Sequence, residues 1–305
     1  MLFEEEIDQN ATGKTVDSLK KSKEFRQNFI SKYGMVPSSI LHHVRGDKAI
    51  DFSKDSRKKI TRKIFTSDKG ERIKWQRGSG AKGGAKDGAL SIFPKKIVRL
   101  IVKFYCPENG IVYDPFCGHN SRMQLVYECN RNYIGVDVSK EFMKHNREIR
   151  GFLLNENRLI ENPATITLIE GSSAKVDLPN NYADFTITSP PYWDIEYYGD
   201  EPEQLGKNKT YDSFLDSLSL HIRENYRILK PGAFCAWFVN DFRKDGVFYP
   251  YHSDLIYFFQ EVGFEMISIY IVDLGNAFGE IFLQQIEKSK IFPKRHEYCL
   301  LFRKG

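Results

Sequence analysis

Cysteine is scarce in this chain of 305 residues, and long apolar runs are missing. Its five cysteines, Cys106, Cys117, Cys129, Cys235 and Cys299, are scattered, and no two form a CxxC pair. An odd, dispersed set supports neither a disulfide framework nor a zinc ribbon, and it points to a reducing compartment, the cytoplasm. No uninterrupted apolar stretch reaches the roughly 18 residues that would suggest a membrane-spanning helix. The N-terminus, MLFEEEIDQN, is acidic and lacks a signal-peptide core. A GxxxxGK[ST] phosphate loop is missing, and so is any hydride-transfer constellation. The one histidine pair, His42-His43, has no cysteine nearby and reads as surface, so no metal is expected.

What is present suits a globular protein: 41% hydrophobic, 28% charged and 14% aromatic residues. That is enough for a large buried core and excludes wholesale disorder. The charge is unevenly placed. Residues 1–100 hold 23 Lys and Arg against 12 Asp and Glu, and residues 101–305 hold 22 against 28. The densest run carries Lys54, Arg57, Lys58, Lys59, Arg62 and Lys63. Phosphate contacts need clustered cations, so Lys58, Lys59, Arg62 and Lys63 are candidate nucleic-acid contacts; the alternative is a solvated helix or arm. Residues 78–88, GSGAKGGAKDG, form a flexible loop or hinge. They divide a basic segment, 1–88, from a second region, 89–305.

Residues 94–105, PKKIVRLIVKFY, predict a helix: Pro94 suits a first turn, and Ile97, Leu100, Ile101 and Phe104 share one face. Asn109-Gly110 marks a turn, and residues 111–114 a short buried strand. Further strands are expected at 133–137, 165–171, within 183–192, and at 233–239, 264–272 and 297–304. Helices are expected at about 121–129, 140–155 (capped by Ser139), 211–228 and 251–262. Strands alternating with helices require crossovers and a mostly parallel sheet covered on both faces. The last two strands have no crossover helix between them, so one of them is antiparallel. The expected fold class is α/β: a Rossmann-like, mostly parallel seven-stranded sheet with an antiparallel last strand, plus a basic N-terminal segment. Ligands in such sheets bind at the carboxyl ends of the strands.

Two strand ends carry chemistry. The first reads Asp114-Pro115-Phe116-Cys117-Gly118-His119-Asn120-Ser121-Arg122. Gly118 lets a ligand approach the backbone, and the helix start offers free N–H groups. Nineteen residues past Gly118, Asp137 ends the next strand, where its carboxylate can accept bonds from both hydroxyls of a ribose. The second reads Thr188-Ser189-Pro190-Pro191-Tyr192-Trp193. Two prolines end the strand in a stiff turn. The turn fixes a hydroxyl, a carbonyl and an aromatic ring together, which suits a planar amine. Ser189 Oγ and the Pro190 carbonyl accept its N–H bonds, and Tyr192 stacks on the ring. Both bonds draw the nitrogen lone pair out of conjugation, ready for direct attack on a methyl donor.

The first motif resembles the DPFxGxG cofactor loop of S-adenosylmethionine-dependent DNA amino-methyltransferases, and Ser189-Pro190-Pro191-Tyr192 resembles their (D/N/S)PP(Y/F/W) motif. Where the family usually has Ser-Gly-Thr, this chain has His119-Asn120-Ser121. Asparagine tolerates positive φ best among non-glycine residues, so Asn120 keeps the turn. His119 is either a pocket residue or an incidental surface histidine. The resemblance covers about residues 90–305 and implies a methyltransferase fold with S-adenosylmethionine as cofactor. It implies cofactor contacts from Phe93, Asp114, Phe116, Gly118, Asn120, Asp137 and Ser173. Leu229-Lys230-Pro231-Gly232, Asn240-Asp241 and His296-Glu297-Tyr298 resemble later family motifs. Serine before the prolines is most typical of N4-cytosine enzymes and aspartate of N6-adenine enzymes. The implied activity is methylation of a flipped base in double-stranded DNA, N4 of cytosine first and N6 of adenine next, with a restriction endonuclease as possible companion. Residues 1–88, and as a second candidate 273–295, are assigned to target contacts. No cysteine follows a proline, which argues against C5-cytosine chemistry. Two other readings stay open: an RNA or protein amino-methyltransferase, and a non-catalytic DNA-binding subunit with this fold.

Overall fold

The computed structural model describes residues 16–35, 38–42, 94–119, 121–156, 164–195, 199–274, 283–292 and 294–305. Lys58, Lys59, Arg62, Lys63, Phe93 and Asn120 lie outside the described residues. The chain divides into two compact units, residues 1–37 and 38–305. In the first, α1 (Val16–Tyr33) places Phe25, Phe29 and Tyr33 four residues apart. Their rings meet at 6.4 and 4.4 Å, the contact that this spacing gives on one helical face.

The second unit is built on one sheet. Its strands are β1 (Ile40–His42), β2 (Ile111–Asp114), β3 (Asn132–Asp137), β4 (Ile166–Glu170), β5 (Ala183–Thr188) and β6 (Leu229–Val239), then β9 (Phe264–Asp273) and β10 (His296–Lys304). A separate hairpin, β7 (Phe242–Lys244) and β8 (Val247–Tyr249), lies between β6 and β9 in sequence. The spatial order is β1-β9-β10-β6-β5-β2-β3-β4. Every neighbouring pair is parallel except those of β10, which is antiparallel to both β6 and β9. The sheet therefore has the expected mostly parallel plan with an antiparallel last strand, but eight strands instead of seven. The eighth, β1, comes from the segment before residue 88 and pairs parallel with β9, Ile40 opposite Ile271. Composition marked a boundary at 88/89, yet the compact unit starts at Ser38. A three-residue strand is too short to show a period of two, so the sequence did not announce it.

The helices are α2 (Lys95–Tyr105), α3 (Ser121–Glu128), α4 (Lys140–Glu156), α5 (Tyr211–Ile228), α6 (Tyr251–Val262) and a short α7 (Leu283–Ser289). In α2, Ile97, Val98, Leu100, Ile101 and Val102 are buried, whereas Phe104, expected on the buried face, is exposed. The buried stripe runs along 97-98-101-102 and so turns Phe104 outward. Pro94 stands just before the helix as its cap and not within its first turn. The α5 start is a reciprocal cap in which Thr210 and Ser213 each bond the other's backbone N–H. α6 stops at Gly263, whose φ of 107° a side chain would resist. The core is aromatic: Trp237, Tyr113, Phe185, Phe214, Phe259 and Phe302 are fully buried, and Phe259 stacks on Phe302 at 4.0 Å. Among the described residues no helix is long and apolar enough to cross a membrane, and no group of three or more His, Cys, Asp or Glu is placed to hold a metal.

Candidate active site

From β2 the chain proceeds to β3 and β4 on one side of the sheet, and from β5 to β6 on the other. This reversal opens a crevice at the carboxyl ends of the strands, and a cavity fills it. Its walls are the loop after β2 (Pro115, Phe116, Gly118, His119), the end of β3 (Asp137, Val138), the loop after β4 (Gly171, Ser173), the turn after β5 (Ser189, Pro190, Pro191, Tyr192), and His221 of α5. The structure thus brings together Phe116, Gly118, Asp137, Ser173 and the four residues of the Ser-Pro-Pro-Tyr turn. His119 joins them as a wall residue.

Asp114 does not belong to that wall. It is fully buried and accepts bonds from Arg122 Nε at 2.7 Å, Tyr133 OH at 2.8 Å and Thr188 Oγ1 at 2.6 Å. Its carboxylate pins together β2, β3, the end of β5 and α3, directly behind the Ser-Pro-Pro-Tyr turn. The expectation that Asp114 faces a cofactor is corrected accordingly: its oxygens are taken up by buried donors, as a charge in the interior requires.

Gly118 adopts φ +49°, and a Cβ there would meet nothing closer than 4.0 Å, so its backbone stands open to the cavity. Gly135, on β3, is needed for a different reason: a Cβ there would come within 2.9 Å of the Cys117 Cβ, so only glycine lets the loop after β2 lie on β3. Asp137 holds that loop. One carboxylate oxygen accepts from Gly118 N–H at 2.8 Å and the other from Ser139 N–H at 2.9 Å. Burial outweighs these bonds and pushes the Asp137 carboxyl up to about 6. Each oxygen keeps a lone pair for a further donor.

The Ser-Pro-Pro-Tyr turn is held from behind. Tyr251 OH donates to the Pro191 carbonyl at 3.1 Å. Tyr192 meets Tyr251 and Phe242 edge-on at 5.9 and 6.4 Å. Trp193 then reverses the chain at φ +45°, unusual for a bulky residue. It is held by an indole N–H bond to the Asn208 carbonyl at 2.8 Å and by Lys244 Nζ over its ring at 4.1 Å. A rigid aromatic backing thus fixes the ring that a planar substrate would meet.

Three contributors went unrecognised in the sequence. His221 sits mid-helix with no local signal. Glu203, Gln204 and Leu205 form cavity wall from the loop before α5, and Glu201 of that loop accepts the Lys140 N–H at the start of α4. The β7–β8 hairpin did carry a signal: Asp245-Gly246 between FRK and VFY, both at positive φ, as a tight two-residue hairpin turn demands. All five cysteines are buried and free, and burial raises the thiols of Cys106, Cys117, Cys129, Cys235 and Cys299. None has the character of a thiolate nucleophile.

A family model described as DNA methylase, of the N6/N4 type, matches residues 10–148 and 183–305. The type II beta methyltransferase M.BslI of Bacillus sp. (strain NEB-606) is 27% identical over 192 residues, 57% of this chain and 19% of that protein. The type II methyltransferase M.MjaVI of Methanocaldococcus jannaschii is 32% identical over 101 residues, 33% of this chain and 50% of that protein. The chain spans from about a fifth to half the length of the curated relatives it matches. Among solved structures, a Thermus thermophilus protein provisionally named a DNA modification methylase, complexed with S-adenosyl-L-methionine, is 28% identical with a TM-score of 0.35. That likeness covers 44% of this chain and 54% of the other.

Proposed function

The chain belongs to the DNA methylase family of the N6/N4 type, and from that premise we propose that it transfers a methyl group from S-adenosylmethionine to the exocyclic amine of a base flipped out of DNA, N4 of cytosine first and N6 of adenine second. The observation that carries this reading is a single cavity that joins an open glycine backbone and Asp137 at one end to Ser189, Pro190 and Tyr192 at the other. The residues fit the cofactor. The Gly118 backbone faces the cavity with no side chain in the way, and Asp137 has lone pairs left for ribose hydroxyls. When bound, S-adenosylmethionine supplies an electrophilic methyl group on a sulfonium.

The chain's own part is positioning. Ser189 Oγ and the Pro190 carbonyl accept the two N–H bonds of the amine, and the Tyr192 ring stacks on the base. Paired N–H acceptors withdraw the nitrogen lone pair from the ring and orient it. Because the prolines and Tyr251 hold these acceptors, little reorganisation is left for the reaction itself. Serine in place of a carboxylate leaves the acceptor neutral, and the family resemblance of that serine favours cytosine. The basic stretch with Lys58, Lys59, Arg62 and Lys63 serves as the phosphate-contacting partner of this site.

The test is nucleoside mass spectrometry after incubating unmethylated duplex DNA with the protein and methyl-labelled S-adenosylmethionine. Labelled N4-methylcytosine is the expected product. Labelled N6-methyladenine would keep the class and change the base. Label in RNA alone would overturn the DNA reading.

A further inference from the structure

The Ser-Pro-Pro-Tyr turn is gripped at two points. Thr188, just before it, is bonded to Asp114, and the Pro191 carbonyl within it accepts from Tyr251 OH at 3.1 Å. Tyr251 is the first residue of α6, and its ring also meets Tyr192. Whatever fixes the start of α6 therefore fixes this second grip. A helix start leaves backbone N–H groups without partners, and a side chain at the cap position commonly supplies an acceptor. The cap position of α6 is held by Pro250, whose ring offers none.

The acceptor comes from another element. Asp241 lies two residues past the end of β6. Its Oδ1 accepts the backbone N–H of His252 at 3.1 Å and the side-chain Nδ1–H at 2.6 Å. A carboxylate buried as deeply as this one needs donors around it. Lys294 adds its charge: Nζ bonds to the Asp241 carbonyl at 3.1 Å and stands 3.9 Å from Oδ2. The His252 ring stacks on Tyr298 of β10 at 4.1 Å, which holds it against the carboxylate. A negative charge at a helix N-terminus also suits the helix dipole. Asp241 does not belong to the cavity wall, so the reaction described above gives it no direct contact.

We propose that Asp241 is a positioning residue for the methyl transfer. It caps α6 from outside the helix, the capped helix aims Tyr251, and Tyr251 holds the Pro191 carbonyl. Ser189, Pro190 and Tyr192 thereby keep one arrangement. The turn is then anchored on both sides by a buried aspartate, by Asp114 through Thr188 and by Asp241 through Tyr251. A misplacement of about 1 Å at a reacting centre can cost about a hundredfold in rate, so a grip of this kind acts on the transfer and not on the cofactor.

The inference rests on the reading of the turn as the seat of the amine, and the experiment separates the two. It measures the single-turnover rate of methyl transfer from labelled S-adenosylmethionine to unmethylated genomic DNA, with the affinity for S-adenosylhomocysteine measured beside it by calorimetry. Asp241→Ala should slow the transfer about tenfold to a hundredfold and leave that affinity unchanged. Tyr251→Phe removes only the hydroxyl and should act in the same way. Because both residues serve one link, the double variant should be no slower than the slower single one. Asp241→Asn keeps an oxygen for the His252 N–H and should restore most of the rate. Losses that multiply would show two separate roles and overturn the proposal. So would an Asp241→Ala rate equal to wild type, or a rate and an affinity that fall together, the mark of a merely structural residue. Should Asp241→Ala not fold, Tyr251→Phe decides alone, and an undiminished rate overturns the link. A wild type that transfers no label to DNA would overturn the reading of the turn, and this inference with it.

Discussion

Two aspartates at the same sheet edge show how environment assigns role. Asp114 and Asp137 both end strands, and both look like ligand contacts in the sequence. The structure separates them by their partners. Asp114 is closed in by Arg122, Tyr133 and Thr188, and removing one side of a buried ion pair leaves the other uncompensated. Asp114→Ala should cost about 3–5 kcal/mol without any ligand present. In a scanning calorimeter the melting temperature should fall by roughly 10 °C; an unchanged melt would return Asp114 to the cofactor. Asp137 carries the opposite signature. Its pKa is raised, so the folded chain holds that proton more tightly than the unfolded chain does. The resulting stabilisation is present below the ordinary carboxylate range and is lost as pH rises through about 6. Ribose hydroxyls donate to the anion, so cofactor affinity should climb as pH rises through about 6 and then level off. His221, at about 4, titrates outside that window. Asp137→Asn should bind more weakly and flatten the profile. A pH-independent wild type would detach Asp137 from the ligand.

Among the elements, legibility followed periodicity. The strands at 111–114 and 297–304 and the helices at 211–228 and 251–262 lie within a residue or so of their expected bounds, because apolar runs and caps mark them. β6 is longer than expected. It starts at Leu229, and its register with β5 jumps from Ala183–Leu229 to Phe185–Phe234, so Lys230-Pro231-Gly232 bulge out of a strand they were expected to precede. The hairpin β7–β8 escaped because three-residue strands show no period, although its Asp-Gly turn was in plain view. It matters to the site. Phe242 and Tyr249 stack at 5.2 Å, and Phe242 in turn meets Tyr192. Gly246 sits at φ +84°, where a β-branched residue is strained by about 1–3 kcal/mol. Gly246→Val should loosen the backing of Tyr192 while leaving Asp137 and Ser173 alone. The expected outcome is a fall in the methyl-transfer rate with an unchanged dissociation constant for S-adenosylhomocysteine. An equal loss of both would place the hairpin in the general stability of the unit.

For the whole molecule, the charge division bears on how the proposed DNA substrate would be held. The net +5 is the sum of a basic first hundred residues and an acidic remainder, 22 cations against 28 anions over 101–305. The cavity belongs to the acidic remainder, with Glu203 and Glu297 in its walls. The net charge of residues 101–305 does not favour a polyanion, so the clustered cations of the first hundred residues are the candidate source of attraction. Lys58, Lys59, Arg62 and Lys63 are the densest source there. Each phosphate contact releases about 0.9 of a condensed counterion, so replacing all four by glutamine should lower the slope of log affinity against log salt by roughly 3 to 4. Fluorescence anisotropy with a labelled duplex between about 50 and 200 mM salt reads this directly. Cofactor binding serves as the control, because it should not change. A slope that survives the four substitutions would take this stretch out of the interface.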